Sequence, residues 1–85
     1  EILVFPNPVR DRINLYFYIS FSSEIRIEMF DLMGRKVFLN EIIPENKGYQ
    51  YLSFDINNLA SGYYVLQVSQ GNRRIGRRNI LVTGR

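Results

Sequence analysis

The sequence contains no cysteine and no histidine. Without cysteine no disulfide can staple the fold, and no thiolate is available as a nucleophile or metal ligand. That absence does not fix a compartment, because a secreted domain can fold without disulfides. Without histidine the usual general base near neutral pH and the commonest metal ligand are both missing. Catalytic triads, zinc centres and histidine proton shuttles are therefore excluded by inventory.

Other patterns are missing too. No run approaches the ~20 apolar residues of a membrane-spanning helix. The chain opens on Glu1 and goes directly into Ile2-Leu3-Val4-Phe5, with no charged region leading into a long apolar core, so no signal peptide is visible. It is expected to be a piece of a longer secreted protein, a single domain over residues 1–85 with any signal peptide upstream. No glycine-rich phosphate loop occurs: Gly34, Gly48, Gly62, Gly71 and Gly76 are scattered and expected at turns. Glu24, Glu28, Asp31, Glu41, Glu45 and Asp55 lack the paired spacing of a two-carboxylate hydrolase, and no segment has the EF-hand pattern. No catalytic residue, cofactor or metal site is assigned, and the chain is expected not to be an enzyme.

What is present points to strands. A chain of 85 residues makes one small domain, burying roughly 60% of the surface its unfolded form exposes. Apolar residues recur with a period of two: Ile13, Leu15, Phe17, Ile19; Ile25, Ile27, Met29; Leu52, Phe54, Ile56; Tyr64, Leu66, Val68. Each run is short and bounded by turn residues, the mark of half-buried strands. Pro6-Asn7-Pro8 interrupts the first run, since proline has no N–H for a ladder. Asp31-Leu32-Met33-Gly34 fits a tight hairpin turn, Asp opening it and Gly supplying positive φ. The reading is seven strands near 2–5, 12–19, 25–30, 36–43, 50–56, 63–69 and 74–82. Even spacing without helical periodicity gives an all-β antiparallel sandwich.

Charge is unevenly placed. Residues 1–55 hold six basic and eight acidic side chains, whereas residues 56–85 hold five arginines and no acid. The pairs Arg73-Arg74 and Arg77-Arg78 flank Ile75-Gly76. They suit a solvated edge strand that resists strand pairing, or a contact for an anionic partner. No nucleic-acid-reading motif accompanies them, so a protein partner is expected and nucleic acid is not. An unblocked edge would allow a homodimer through edge strands.

Leu59-Ala60-Ser61-Gly62-Tyr63-Tyr64 reads as a sandwich corner. Leu59 plugs the core, Gly62 relieves the bend, and Tyr64 turns inward and returns its hydroxyl to nearby backbone. Tyr16, Tyr18, Tyr49, Tyr51 and Tyr63 could form an exposed platform in an adhesion or carbohydrate-binding module of a secreted enzyme. The alternative is cross-strand pairing on an outer sheet face, which strands commonly use.

Taken in order, Phe5-Pro6-Asn7-Pro8, the strand from Arg12 to Leu15, Ile27 to Val37, Leu59 to Tyr64, and Arg77-Arg78-Asn79-Ile80-Leu81-Val82 resemble the C-terminal sorting domain of the type IX secretion system. The resemblance covers nearly the whole chain. It implies an Ig-like sandwich of seven strands carried at the end of a secreted cargo. Such a domain is recognised in the periplasm of a Gram-negative bacterium, directs the cargo through an outer-membrane translocon, and is usually removed by a separate cysteine-type sorting peptidase. The cargo is left secreted or at the cell surface. The family's motifs fall on Pro6, Asn7 and Pro8, on Asp31 and Gly34, on Gly62 and Tyr64, and on Arg77 and Arg78. The terminal basic pair is usually lysine-rich, and arginine here keeps the charge while changing hydrogen-bond geometry. Thr83-Gly84-Arg85 runs past the last apolar strand.

Overall fold

Alternation along each run is realised as two antiparallel sheets packed face to face. The computed structural model describes residues 1–84; Arg85, one of the five C-terminal arginines, lies outside the described residues. The strands are β1 (Ile2–Phe5), β2 (Arg12–Ile19), β3 (Ile25–Asp31), β4 (Lys36–Ile42), β5 (Gly48–Asp55), β6 (Gly62–Gln70) and β7 (Arg73–Val82). One sheet has the order β1-β2-β5 and the other β4-β3-β6-β7, which makes an Ig-like sandwich. The inward set of β2 (Ile13, Leu15, Phe17, Ile19) packs with that of β3 (Ile25, Ile27, Met29) and of β6 (Tyr64, Leu66, Val68) in one continuous core. A one-residue slip in any of these strands would turn its apolar set to water, so burial fixes the register.

Strand ends depart from the sequence reading where a side chain or amide has a better partner. Ile56 leaves β5 and sends its N–H to the carbonyl of Asp11 at 2.8 Å. Its side chain still fills the core, so apolar pattern alone placed it in the strand. Ile43 leaves β4 and is exposed. Gly76 does not sit at a turn; it lies inside β7, where an added Cβ would come within 2.8 Å of Ile2 Cγ2. Glycine there lets β1 close against β7, a packing requirement that a single sequence does not distinguish from a turn signal.

The N-terminal segment serves both sheets. β1 pairs antiparallel with β2, and after Pro6-Asn7-Pro8 the chain crosses so that Val9 makes a parallel bridge with Val82. Both the Phe5-Pro6 and Asn7-Pro8 peptide bonds are cis. The prolines cannot donate to β2, which ends that pairing at Phe5 and frees the chain to cross.

Candidate functional site

Most of the motif residues meet at one end of the sandwich, because antiparallel pairing brings the end of β3, the start of β6 and the end of β7 together. Asp31 pairs with Tyr64, Tyr64 with Ile80, and Gly62 with Val82. Beside Val82 stands Val9, directly after Pro6-Asn7-Pro8.

The β3–β4 turn is organised by one carboxylate. Asp31 Oδ1 accepts the backbone N–H groups of Met33 and Arg35, each at 2.9 Å, and Oδ2 accepts Arg35 Nε at 2.8 Å. Its backbone carbonyl accepts the N–H of Gly34 at 3.0 Å. Gly34 sits at φ 84°, left-handed backbone that suits glycine. The Arg35 amide above all, with the guanidinium of Arg35 and the amide of Met33, holds the Asp31 carboxyl below its ordinary pKa against an opposing desolvation. The turn presents Leu32 and Met33 at its tip, 75% and 80% exposed.

The corner before β6 forms as the sequence predicts. Tyr64 is buried and donates its hydroxyl to the carbonyl of Ala60, and Leu59 is buried beneath it. Gly62 holds φ 154°, which side-chain-bearing residues rarely adopt.

Arg77 and Arg78 are adjacent in sequence and separated in space. Arg77 pairs with Gln67, on the outer face of the four-stranded sheet, while Arg78 pairs with Leu66, on the core-facing side at the edge of that sheet. Arg78 donates Nη1 to the carbonyl of Arg77 at 3.1 Å and sets Nη2 3.4 Å from Glu1 Oε2. Arg77 takes part in none of the ion pairs among the described residues. It instead borders a shallow depression of about 390 Å³ lined also by the apolar Phe30, Leu32 and Val65 and by Gln67, Asp31 and Gly34. Three motif residues from two distant segments thus share one concave surface. Apolar lining residues beside a cation outside every ion pair suit a partner segment that carries an apolar side chain next to a carboxylate.

The edge of β7 is covered, which the sequence did not reveal. The carbonyl of Ile75 accepts from the backbone nitrogen of Glu1 at 3.0 Å, that of Arg77 from Arg78, that of Asn79 from Asn7 Nδ2 at 3.4 Å, and that of Leu81 from Val9 at 2.8 Å. Thr83 continues the run by donating its N–H to Val9 at 2.8 Å. Pro6-Asn7-Pro8 is more than an edge bend: it places an amide side chain against the last strand. The only hint in the sequence is a small polar residue held between two prolines.

The tyrosines divide between the two sheets. Tyr16 pairs with Tyr51 and Tyr18 with Tyr49 on the outer face of β1-β2-β5, whereas Tyr63 faces outward from the other sheet. Tyr16 and Tyr49 stack at 5.2 Å and 6°, and Tyr18 meets Tyr49 edge-on at 5.2 Å. These rings pack on one another across the strands, as cross-strand pairing predicts.

Among the described residues no cluster of three or more His, Cys, Asp or Glu could hold a metal ion, and no helix is long and apolar enough to cross a membrane. Comparison with curated proteins finds no match. The family model described as the secretion system C-terminal sorting domain matches residues 3–82, nearly the whole chain and every motif block set out above. The chain therefore belongs to the secretion system C-terminal sorting domain family, the C-terminal signal that directs an attached cargo through type IX secretion.

Proposed function

We propose that the type IX machinery reads this domain through the outer face of β3-β6-β7, at the depression bordered by Arg77. The observation that carries this reading is the convergence of Asp31, Gly34 and Arg77 on one concave surface with apolar lining residues. The turn at Asp31 shapes one wall, and Arg77 supplies a charge that takes part in none of the ion pairs among the described residues. Pro6, Asn7, Pro8, Gly62 and Tyr64 act at one remove by fixing β6 and β7, and Arg78 by fastening β7 to Glu1.

On this reading the domain is a substrate of the export apparatus and catalyses nothing, in keeping with a sequence that lacks histidine and cysteine. A separate sorting peptidase removes it from the upstream cargo after passage through the translocon, leaving the cargo outside the cell or on its surface. Two copies pairing through edge strands would have to use β4, β5 or β1, because the β7 carbonyls are already engaged.

The test is a reporter fused ahead of residues 1–85 in a host with a type IX pathway. Removing the chain from Arg77 onward would also take Ile80 and Val82 out of the core, so point substitution is the cleaner probe. Arg77→Ala is expected to leave the reporter in the periplasm, Arg77→Lys to export part of it, and Arg78→Ala to export more than Arg77→Ala. Undiminished export of a folded Arg77→Ala fusion would sink the assignment of this surface.

A further inference from the structure

The two outer faces of the sandwich differ in kind. That of the four-stranded sheet carries ion pairs, Arg26 with Glu41 at 3.5 Å and Lys36 with Glu28 at 2.9 Å. That of β1-β2-β5 carries Leu3, Phe5, Tyr16, Tyr18, Tyr49 and Tyr51, contiguous in register and each between 38% and 69% exposed. Of the residues the three strands send to this face only Arg12 and Asp55 are charged, and they are direct cross-strand partners at one end. The rings are braced: Phe5 lies 6.4 Å from Tyr51 across the central strand, and Tyr51 donates its hydroxyl to Asn14 Oδ1 at 2.9 Å.

We propose that this face is an interface between two copies of the chain, packed sheet against sheet. Large side chains such as these present about 150–250 Å² each, so six of them at these exposures offer roughly 470–790 Å². That reaches from the upper part of the ~300–600 Å² of the largest patch on an ordinary monomer toward the ~800 Å² per partner of a stable interface. Composition matches an interface core, rich in tyrosine and phenylalanine and poor in charge. The braced rings have little rotamer freedom left to lose on association.

Charge placement accommodates a second copy. The chain carries a net charge of +3, yet Arg73, Arg74, Arg77 and Arg78 all belong to β7 of the other sheet. Two copies joined through the aromatic faces therefore hold their arginine strips apart, whereas apposition of the ion-paired faces would bring them together. A glycan is the poorer occupant, since stacking on sugar needs open ring faces and Tyr16 and Tyr49 cover each other at 5.2 Å.

Sedimentation equilibrium of the 85-residue chain, up to ~1 mM so that weak association is captured, tests the proposal. A reversible dimer is expected, with concentration-dependent amide shifts confined to β1, β2 and β5. Tyr49→Ser with Tyr51→Ser should raise Kd by about tenfold or more, as removal of central aromatic contacts does. Tyr63→Ser, on the opposite sheet, should leave Kd unchanged. The wild-type shift map keeps the test decisive even if the double variant fails to fold. Three results would overturn it: a monomer throughout the range, a dimer whose shifts map to the four-stranded sheet or to one edge strand alone, or a monomer whose tyrosine fluorescence responds to soluble glycans.

Discussion

The side-chain amide of Asn7 stands where a neighbouring strand would lie against Leu81, its Oδ1 accepting the Leu81 N–H at 3.3 Å. The same amide donates to the carbonyl of Asn79, so one side chain imitates both halves of a ladder. Asn7→Ala is expected to destabilise the domain by about 0.5–1.5 kcal/mol, the usual net worth of a hydrogen bond. Amide exchange should quicken at Leu81 while Leu66, in the centre of β6, keeps its protection. Unchanged exchange at Leu81 would show that water serves that amide equally well.

Asp31 gives the fold a defined acid response. Its carboxyl pKa is depressed in the folded chain, chiefly by the Arg35 amide. A group whose folded pKa lies below its unfolded value contributes stability that is complete above the unfolded value and is lost as pH falls through the folded one. The turn is therefore indifferent to pH near neutrality and weakens only in acid, below the ordinary carboxylate range. Asp31→Asn should have a lower Tm than the parent at pH 7, and the two melting curves should converge in acid. A gap that stays constant down to acid pH would contradict this assignment.

Tyr64 separates a hydrogen bond from a packing volume. Tyr64→Phe keeps the ring in the core and removes only the bond to Ala60, which should cost about 0.5–1.5 kcal/mol. Tyr64→Ala empties the site and should cost about 3–5 kcal/mol. For a domain of this size each kcal/mol lowers Tm by roughly 4–8 °C, so thermal melts resolve the two. Equal losses would mean that the corner depends on the hydroxyl more than on the ring.

Gly76 and Ile2 form a matched pair. Gly76→Ala should cost about 1–3 kcal/mol, the range for overpacking, because the new methyl meets the Ile2 side chain. Ile2→Ala alone should cost about 2–5 kcal/mol as a buried large-to-small change. The double variant should be more stable than the sum of the two losses predicts, a coupling measured directly by a double-mutant cycle. Strict additivity would place the strain elsewhere.

Much of the architecture could be read before any pairing was known. Period-two runs located β2, β3, β5 and β6, turn residues bounded the other three strands, Asp31 and Gly34 announced their turn, and Tyr64 its corner, because each is a local decision written in a few adjacent residues. The failures are non-local. Ile56 has the alternation of a strand residue, yet its amide is claimed by Asp11, 45 positions earlier in the chain. Gly76 resembles a turn glycine until Ile2 is known to lie against it. Alternation showed that Tyr16, Tyr18, Tyr49, Tyr51 and Tyr63 face outward, but which tyrosines share a sheet depends on strand order. The arginine motif read as one basic unit, and pleating divides it: Arg77 borders the depression and Arg78 faces Glu1 at the edge. Alternation can reveal that division only once β7 is known to be continuous through those positions.

Because β7 receives Glu1, Ile2, Asn7 and Val9, the first nine residues complete their bonding only against a strand more than seventy positions later. Contacts of such separation are slow to form, since the whole intervening loop must close before they contribute. A ribosome or a channel that delivers this chain from its N-terminus cannot yield a sealed sandwich until the final strand has emerged. A prematurely terminated chain would leave β6 with an open edge and the Pro6-Asn7-Pro8 segment without its dock. Closure of the sandwich thus waits on the last strand to be made.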